Sequence, residues 1–160
     1  MIDRKLAEKL LQFLSEYLDF YKNFLQIETE KYDDLSNSKV ETIDAHVKTE
    51  EAFMLKSRGL EAEREKLVSQ TGNPKATFRQ LIDLFEPSLR PKAKEIFDEL
   101  SQVMLNLKEI NLRCNNLTEL KLHRIQTDLN RLTNHPELQK VYASKLGEGA
   151  VPPSILSKKV

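Results

Sequence analysis

The chain has 160 residues, enough for about one domain. Lys and Arg number 25 and Asp and Glu also number 25, so the formal net charge is zero, which argues against a basic nucleic-acid-binding domain and an acidic tail protein. With 31% charged residues, 4 Gly and no Trp, the composition is typical of long helices and excludes a β-sandwich or a Gly-rich nucleotide binder. A single cysteine excludes an internal disulfide and fits a reducing compartment.

Targeting and membrane segments are absent from the sequence pattern. No run of about 18 apolar residues occurs, and the first ten residues carry charges where a signal peptide needs an apolar run. We therefore expect a soluble, cytoplasmic protein without a membrane span.

The first predicted helix covers about residues 3–35. Its apolar residues alternate at spacings of four and three, the period of a coiled-coil seam. This seam consists of Leu6, Leu10, Phe13, Tyr17, Phe20 and Phe24. A second apolar line beside the seam widens the stripe enough to face two neighbouring helices, so the pattern predicts a bundle.

The second predicted helix covers about residues 39–70. Turn-forming residues precede it, and Ser38 and Glu41 have the spacing of a capping box. Gly59 interrupts its apolar stripe at a cost of about 1 kcal/mol relative to Ala. Either a close approach to a neighbouring helix or a local kink would explain this glycine.

A short inserted helix is predicted at about 78–85. It follows the turn signal Thr71-Gly-Asn-Pro74, and Thr77 and Gln80 have the spacing of a second capping box. We expect this helix to plug one end of the bundle.

The third long helix is predicted to begin near Pro87 and to end at Asn134, a length of about 45 residues. It would exceed the first two helices by about 12 residues, or close to 18 Å. The excess segment carries Leu122, Ile125, Leu129 and Leu132. Uncovered apolar stripes mark interaction sites, although the inserted helix or the tail could also cover this one.

A helical tail is predicted after Asn134. Leu138, Val141, Tyr142 and Leu146 share one helical face, and Gly147 can end the segment. Such a short segment is marginal alone, so we expect it to be mobile unless it docks in cis or on a partner.

These elements together predict an all-α protein. Residues 1–134 form an antiparallel bundle of three long helices with a short inserted helix, and residues 135–160 form a C-terminal helical tail.

Catalytic motifs are missing from the sequence. It contains no phosphate-binding loop, dinucleotide fingerprint, serine-hydrolase elbow or zinc-protease motif. His46 and Glu50 lie one helical turn apart and could share a metal, but a solvated surface pair is the simpler interpretation. Cys114 lies in the apolar stripe of the third helix, too far from His123 for a Cys–His nucleophile, and is interpreted as a small buried hydrophobe. We expect no enzyme activity, no metal and no cofactor.

Several segments, in their order and spacing, resemble the FlgN-type flagellar export chaperones over nearly the whole chain. They are Glu16-Tyr17, Glu28-Thr-Glu30, Leu60-Glu-Ala-Glu-Arg-Glu-Lys-Leu67, Phe78-Arg-Gln-Leu-Ile-Asp-Leu-Phe85, Pro87-Ser-Leu-Arg90, Leu107-Lys-Glu-Ile-Asn111-Leu-Arg-Cys-Asn115 and Tyr142-Ala-Ser-Lys-Leu-Gly147. Cys114 and the Pro152-Pro153 pair are departures or unconstrained positions.

The resemblance implies a cytoplasmic, non-enzymatic antiparallel helical bundle of the flagellar type III export system. Such proteins bind hook–filament junction proteins, keep them from assembling or being degraded, and deliver them to the export gate. Tyr142 matches the tail position expected to contact the gate. Cargo binding is expected through the C-terminal helical region, here Leu122, Ile125, Leu129, Leu132, Leu138, Val141 and Leu146.

A structural helical adaptor or coiled-coil scaffold without an export role is the alternative, because the seam of the first helix could equally mediate homodimerisation. The sequence leaves open which junction protein is preferred, the oligomeric state, and whether residues 135–160 pack on the bundle.

Overall fold

The computed structural model describes residues 1–135 together with residues 137, 140 and 141. Over these residues the chain is helical and has no β-strand, so the predicted all-α class is confirmed. The helices are α1 (Arg4–Ser36), α2 (Ile43–Ser69), α3 (Phe78–Leu84) and α4 (Arg90–Asn134), with a 3₁₀ turn at Val40–Thr42.

The chain divides into two compact units. The first unit comprises Met1–Asn115, and the second begins at Asn116, inside α4. The predicted domain division after residue 134 stays a prediction.

The core of the first unit lies along α1, where the predicted seam is largely buried. Leu10, Phe13, Tyr17 and Phe20 are each at most 8% exposed. Buried residues of α4 complete this core, namely Ala93, Ile96, Leu100 and Val103, and Leu60 and Leu67 of α2 pack against it. Removing this apolar surface from water stabilises the unit at about 25 cal/mol per Å².

The contacts of α1 with α2 show the relative direction of the two helices. The Tyr17 hydroxyl donates to Glu61 Oε2 at 3.3 Å, whereas further along α1 Lys31 forms an ion pair with Glu50. Because the residue numbers rise along α1 while they fall along α2, the two helices run in opposite directions.

The contacts of α1 with α4 show the relative direction of these two helices in the same way. Lys22 Nζ lies 2.6 Å from Glu99 Oε2, and the Cys114 thiol contacts the Glu28 carbonyl oxygen at 3.8 Å. The residue numbers rise together, so α4 in the first unit runs in the same direction as α1.

The connection between α1 and α2 differs from the predicted capping box. α1 ends in a Schellman turn, in which the Lys39 N–H donates to the Asp34 carbonyl and the Ser38 N–H donates to the Leu35 carbonyl. Ser38 adopts the left-handed φ of 58° that this turn requires. An N-cap needs an extended backbone, so Ser38 does not cap α2, which begins one turn later than predicted, at Ile43.

The predicted capping box before α3 is confirmed. The Thr77 N–H donates to Gln80 Oε1 at 2.8 Å, and the Gln80 N–H donates to Thr77 Oγ1 at 3.4 Å. After α3, the Ile2 N–H donates to the Leu84 carbonyl at 3.0 Å, and Phe85 is fully buried in the core. The inserted helix therefore lies against the start of α1.

Gly59 of α2 is exposed. A Cβ built on it meets no described atom within 4 Å. Close approach of a neighbouring helix is therefore wrong as an explanation of this glycine.

Candidate partner-binding surface

The second part of α4 carries the four predicted cargo-binding leucine and isoleucine residues at spacings of three, four and three. We call Leu122, Ile125, Leu129 and Leu132 the distal stripe. Leu122 is 56% exposed and Ile125 is 53% exposed, while Leu129 and Leu132 are half-buried. Their helical spacing places all four on one face, where a partner helix could lie.

Of the predicted tail residues, the structure describes Val141, which is helical and 50% exposed. Leu138, Leu146 and Tyr142 lie outside the described residues. Their roles in binding cargo and the export gate stay predictions.

Two leucines that the sequence analysis did not single out are also exposed on α4, in the first unit. Leu105 is 63% exposed and Leu112 is 59% exposed. They lie seven residues apart, outside the stripe of buried residues that includes Val103 and Cys114. Their departure from the core spacing is the signal that identifies them in the sequence.

The first unit contains a buried ionic cluster that the helical spacing of its residues does not predict. Glu28 is 1% exposed. Lys31 Nζ lies 2.9 Å from Glu28 Oε2 and also contacts Glu50. Neither Glu28 oxygen has full hydrogen-bond geometry with a described partner, and the Lys31 ammonium beside it is shared with Glu50, so the loss of hydration is only partly compensated.

This burial changes the acid–base behaviour of the cluster. Burial and the neighbouring Glu50 carboxyl raise the pKa of Glu28 to about 7. Although burial acts in the opposite direction, contacts with Glu28 and Lys31 lower the pKa of Glu50. Burial also raises the pKa of the Cys114 thiol. Cys114 is 1% exposed, as its interpretation as a small buried hydrophobe predicts.

His46 is not part of a solvated surface pair, so that interpretation is wrong. Its Nε2 lies 2.8 Å from Asp34 Oδ2, and its side chain is 14% exposed. The pair joins the end of α1 to the start of α2, a contact between helices that the spacing of His46 and Glu50 could not reveal.

Catalytic and metal-binding constellations are not found in the part of the chain that the structure describes. No group of three His, Cys, Asp or Glu side chains there could hold a metal ion. A groove of about 580 Å³ between α1 and α2 is lined by charged side chains of both signs around Phe13, namely Lys9, Glu16, Glu63 and Lys66, and its lining includes no Ser, Thr, Cys or His. Within the described helices, no stretch with the length of a membrane span is sufficiently apolar to form one.

The sequence is similar to a known protein family over most of its length. The family model described as FlgN protein matches residues 1–147. Searches of curated proteins and of solved structures find no match. Because the family match covers most of the chain, the protein belongs to the FlgN family, and this membership implies a role as a flagellar export chaperone.

Proposed function

We propose that this protein binds flagellar hook–filament junction proteins through the distal stripe and the tail, prevents their premature assembly and delivers them to the export gate. The observation that carries the proposal is the exposure of Leu122 and Ile125, which lie at helical spacing with Leu129 and Leu132. Family membership supports the export role.

The physical mechanism is the docking of an amphipathic helix. A terminal helix of the cargo would place anchors at three- and four-residue spacing on the distal stripe, as helix-in-groove partners do. Complete burial of one leucine contributes about 1.5–3 kcal/mol. Ordering the cargo segment costs part of this gain, so the affinity stays moderate and release at a gate is possible.

The first unit then acts as a scaffold and not as an enzyme. We propose an up-down-up arrangement of the three long helices, in keeping with the opposite direction of α1 and α2 and the shared direction of α1 and α4. In this proposal the protein works in the cytoplasm, and Tyr142 contacts the export gate.

The first test replaces leucines of the distal stripe by a charge. We expect Leu122→Asp and Leu129→Asp each to weaken binding of a junction protein's terminal segment at least about tenfold, because a buried carboxylate without a partner opposes docking. Binding is measured by titration calorimetry with the full chain, and a circular-dichroism melt checks folding.

The matched control is Leu105→Asp, the same substitution at an exposed position of the same helix. It should leave both the melt and the affinity unchanged. Equal affinity of Leu122→Asp, Leu129→Asp and the wild type would contradict the assignment of this surface.

The alternative scaffold function relies on the α1 seam as a dimer contact. That seam is occupied within the chain, since Leu10, Phe13 and Phe20 are at most 5% exposed. A dimer through the seam would require the bundle to open, and sedimentation of the folded protein tests for such a dimer.

A further inference from the structure

The distal stripe has two edges that differ in charge. Because successive residues of an α-helix are rotated by about 100°, residues on either side of the stripe can be assigned from their spacing. One edge, which we call the basic edge, carries Lys121, Arg124, Asp128 and Arg131. The other edge carries Glu119, Gln126, Asn130 and Thr133. The net charge is +2 on the basic edge and −1 on the other.

The arginines of the first unit are mostly engaged by their own chain. Arg4, Arg64 and Arg113 form ion pairs within one helical turn. Arg90 donates to backbone carbonyls, and Arg79 lies over the Phe97 ring. Arg58 is the exception among the six arginines of this unit.

The arginines of the basic edge differ from these. Arg124 and Arg131 are exposed, and neither forms an ion pair with any residue that the structure describes. Asp128 lies four residues after Arg124 and three before Arg131, a spacing at which helical ion pairs form, yet it contacts neither guanidinium within 4 Å. Two guanidinium groups are therefore available beside the exposed stripe.

We propose that the helix that docks on the distal stripe carries carboxylates along one edge, at a spacing of seven residues, and that Arg124 and Arg131 bind them. This inference rests on the proposed function and names the chemistry of its partner. The two arginines are separated by seven residues, or about 10 Å along α4, which matches a seven-residue spacing on a roughly parallel or antiparallel helix. A guanidinium binds a carboxylate through two parallel hydrogen bonds, so the pairing selects both partner and orientation.

The test uses the full chain and three designed helical peptides with one shared leucine seam. One edge of each peptide carries glutamate, glutamine or lysine at seven-residue spacing. In low salt, fluorescence anisotropy should show the glutamate peptide binding about tenfold more tightly than the glutamine peptide, with the lysine peptide weakest. Added salt should reduce these differences, because exposed charge pairs are screened.

Charge variants then assign the preference to the two arginines. Arg124→Gln with Arg131→Gln should make the glutamate and glutamine peptides bind equally, and Arg124→Glu with Arg131→Glu should reverse the order in favour of lysine. The matched control, Lys92→Gln with Lys108→Gln in the first unit, should keep the wild-type order.

Two outcomes would overturn the inference. If the three peptides bind equally and Leu122→Asp abolishes their binding, a helix docks on the stripe regardless of the charge along its own edge, and the proposed function stands. If vesicles containing phosphatidylglycerol bind the chain through Arg124 and Arg131 while the peptides show no preference, the basic edge is a membrane-surface contact.

Discussion

At the scale of single residues, Glu28 lies where α1 meets both α2 and α4. Lys31 of its own helix and Glu50 of α2 face its carboxyl group, and the Cys114 thiol of α4 contacts its backbone carbonyl. A carboxyl group at 1% exposure loses its hydration, and one lysine shared with Glu50 does not replace it. The cluster therefore binds one proton more readily than exposed carboxyl groups would.

This proton links stability to pH. The pKa of Glu28 is raised from its ordinary value of 4.5 to about 7, so its stabilising contribution is complete below pH 4.5 and is lost as the pH rises through 7. The lowered pKa of Glu50 acts in the opposite direction, because its stabilising contribution is present above pH 4.5 and is lost at lower pH, so Glu50 does not cause a loss of stability between pH 5 and 8. We expect the free energy of unfolding to fall by on the order of 1–3 kcal/mol over this pH range, as measured by urea denaturation.

Glu28→Gln should remove most of this slope, because the amide keeps the shape of the protonated acid. Glu51→Gln, an exposed neighbour of Glu50, should retain the wild-type slope. A slope that persists unchanged in Glu28→Gln would show that other groups cause it.

At the scale of elements, α2 is the least firmly packed of the long helices. Val68, near its C-terminal end, is the one residue of α2 that is fully buried. Nearer its middle, the Phe53 ring stacks on Phe20 at 5.2 Å and on Phe24 at 5.3 Å. These aromatic contacts supply packing where the apolar stripe of α2 is thin.

Phe53→Ala should therefore destabilise the first unit by about 1–3 kcal/mol, less than a fully buried phenylalanine, because Phe53 is half-buried. Leu55→Ala removes a side chain that is 71% exposed on the same helix and should change stability by less than about 0.5 kcal/mol. Chemical denaturation of both variants checks the contrast, and equal losses would contradict the role of the aromatic stack.

At the scale of the whole molecule, the chain combines a first unit with a buried core and a second unit whose described part exposes apolar side chains. The family match, over residues 1–147, covers the first unit and extends into the second. In the proposed function the first unit stays folded, and the distal stripe becomes protected from hydrogen exchange when cargo binds.

Amide hydrogen exchange tests whether the two units have these different roles. We expect residues 118–134 to exchange more slowly when a junction protein's terminal segment is added, since partner contacts oppose local opening, while Met1–Asn115 is unchanged. Full protection of residues 118–134 without a partner, and no change on its addition, would contradict a cargo site there.

At the candidate site, the periodicity of the sequence predicts a shared helix face but not the exposure of that face. The spacing of Leu122, Ile125, Leu129 and Leu132 in the sequence predicts their common face, because helical spacing is a local property. The exposure of Leu122 and Ile125, and the absence of ion pairs between Arg124 or Arg131 and any described residue, depend on which groups lie nearby in space, so they required the structure.

The sequence by itself determined the all-α class, the bounds of α1 and the end of α4, the buried α1 seam and the Thr77–Gln80 capping box. These features follow from residue spacing and hydrogen bonds within a few residues. The turn at Ser38 that ends α1 is also local, but the spacing of Ser38 and Glu41 predicts a capping box there instead. Tertiary structure alone decided that His46 pairs with Asp34 and that Glu28 is buried. Each of these two features depends on the helix packing that brings distant parts of the chain together. The spacing of residues in the sequence does not predict a burial or a charge pairing of this kind.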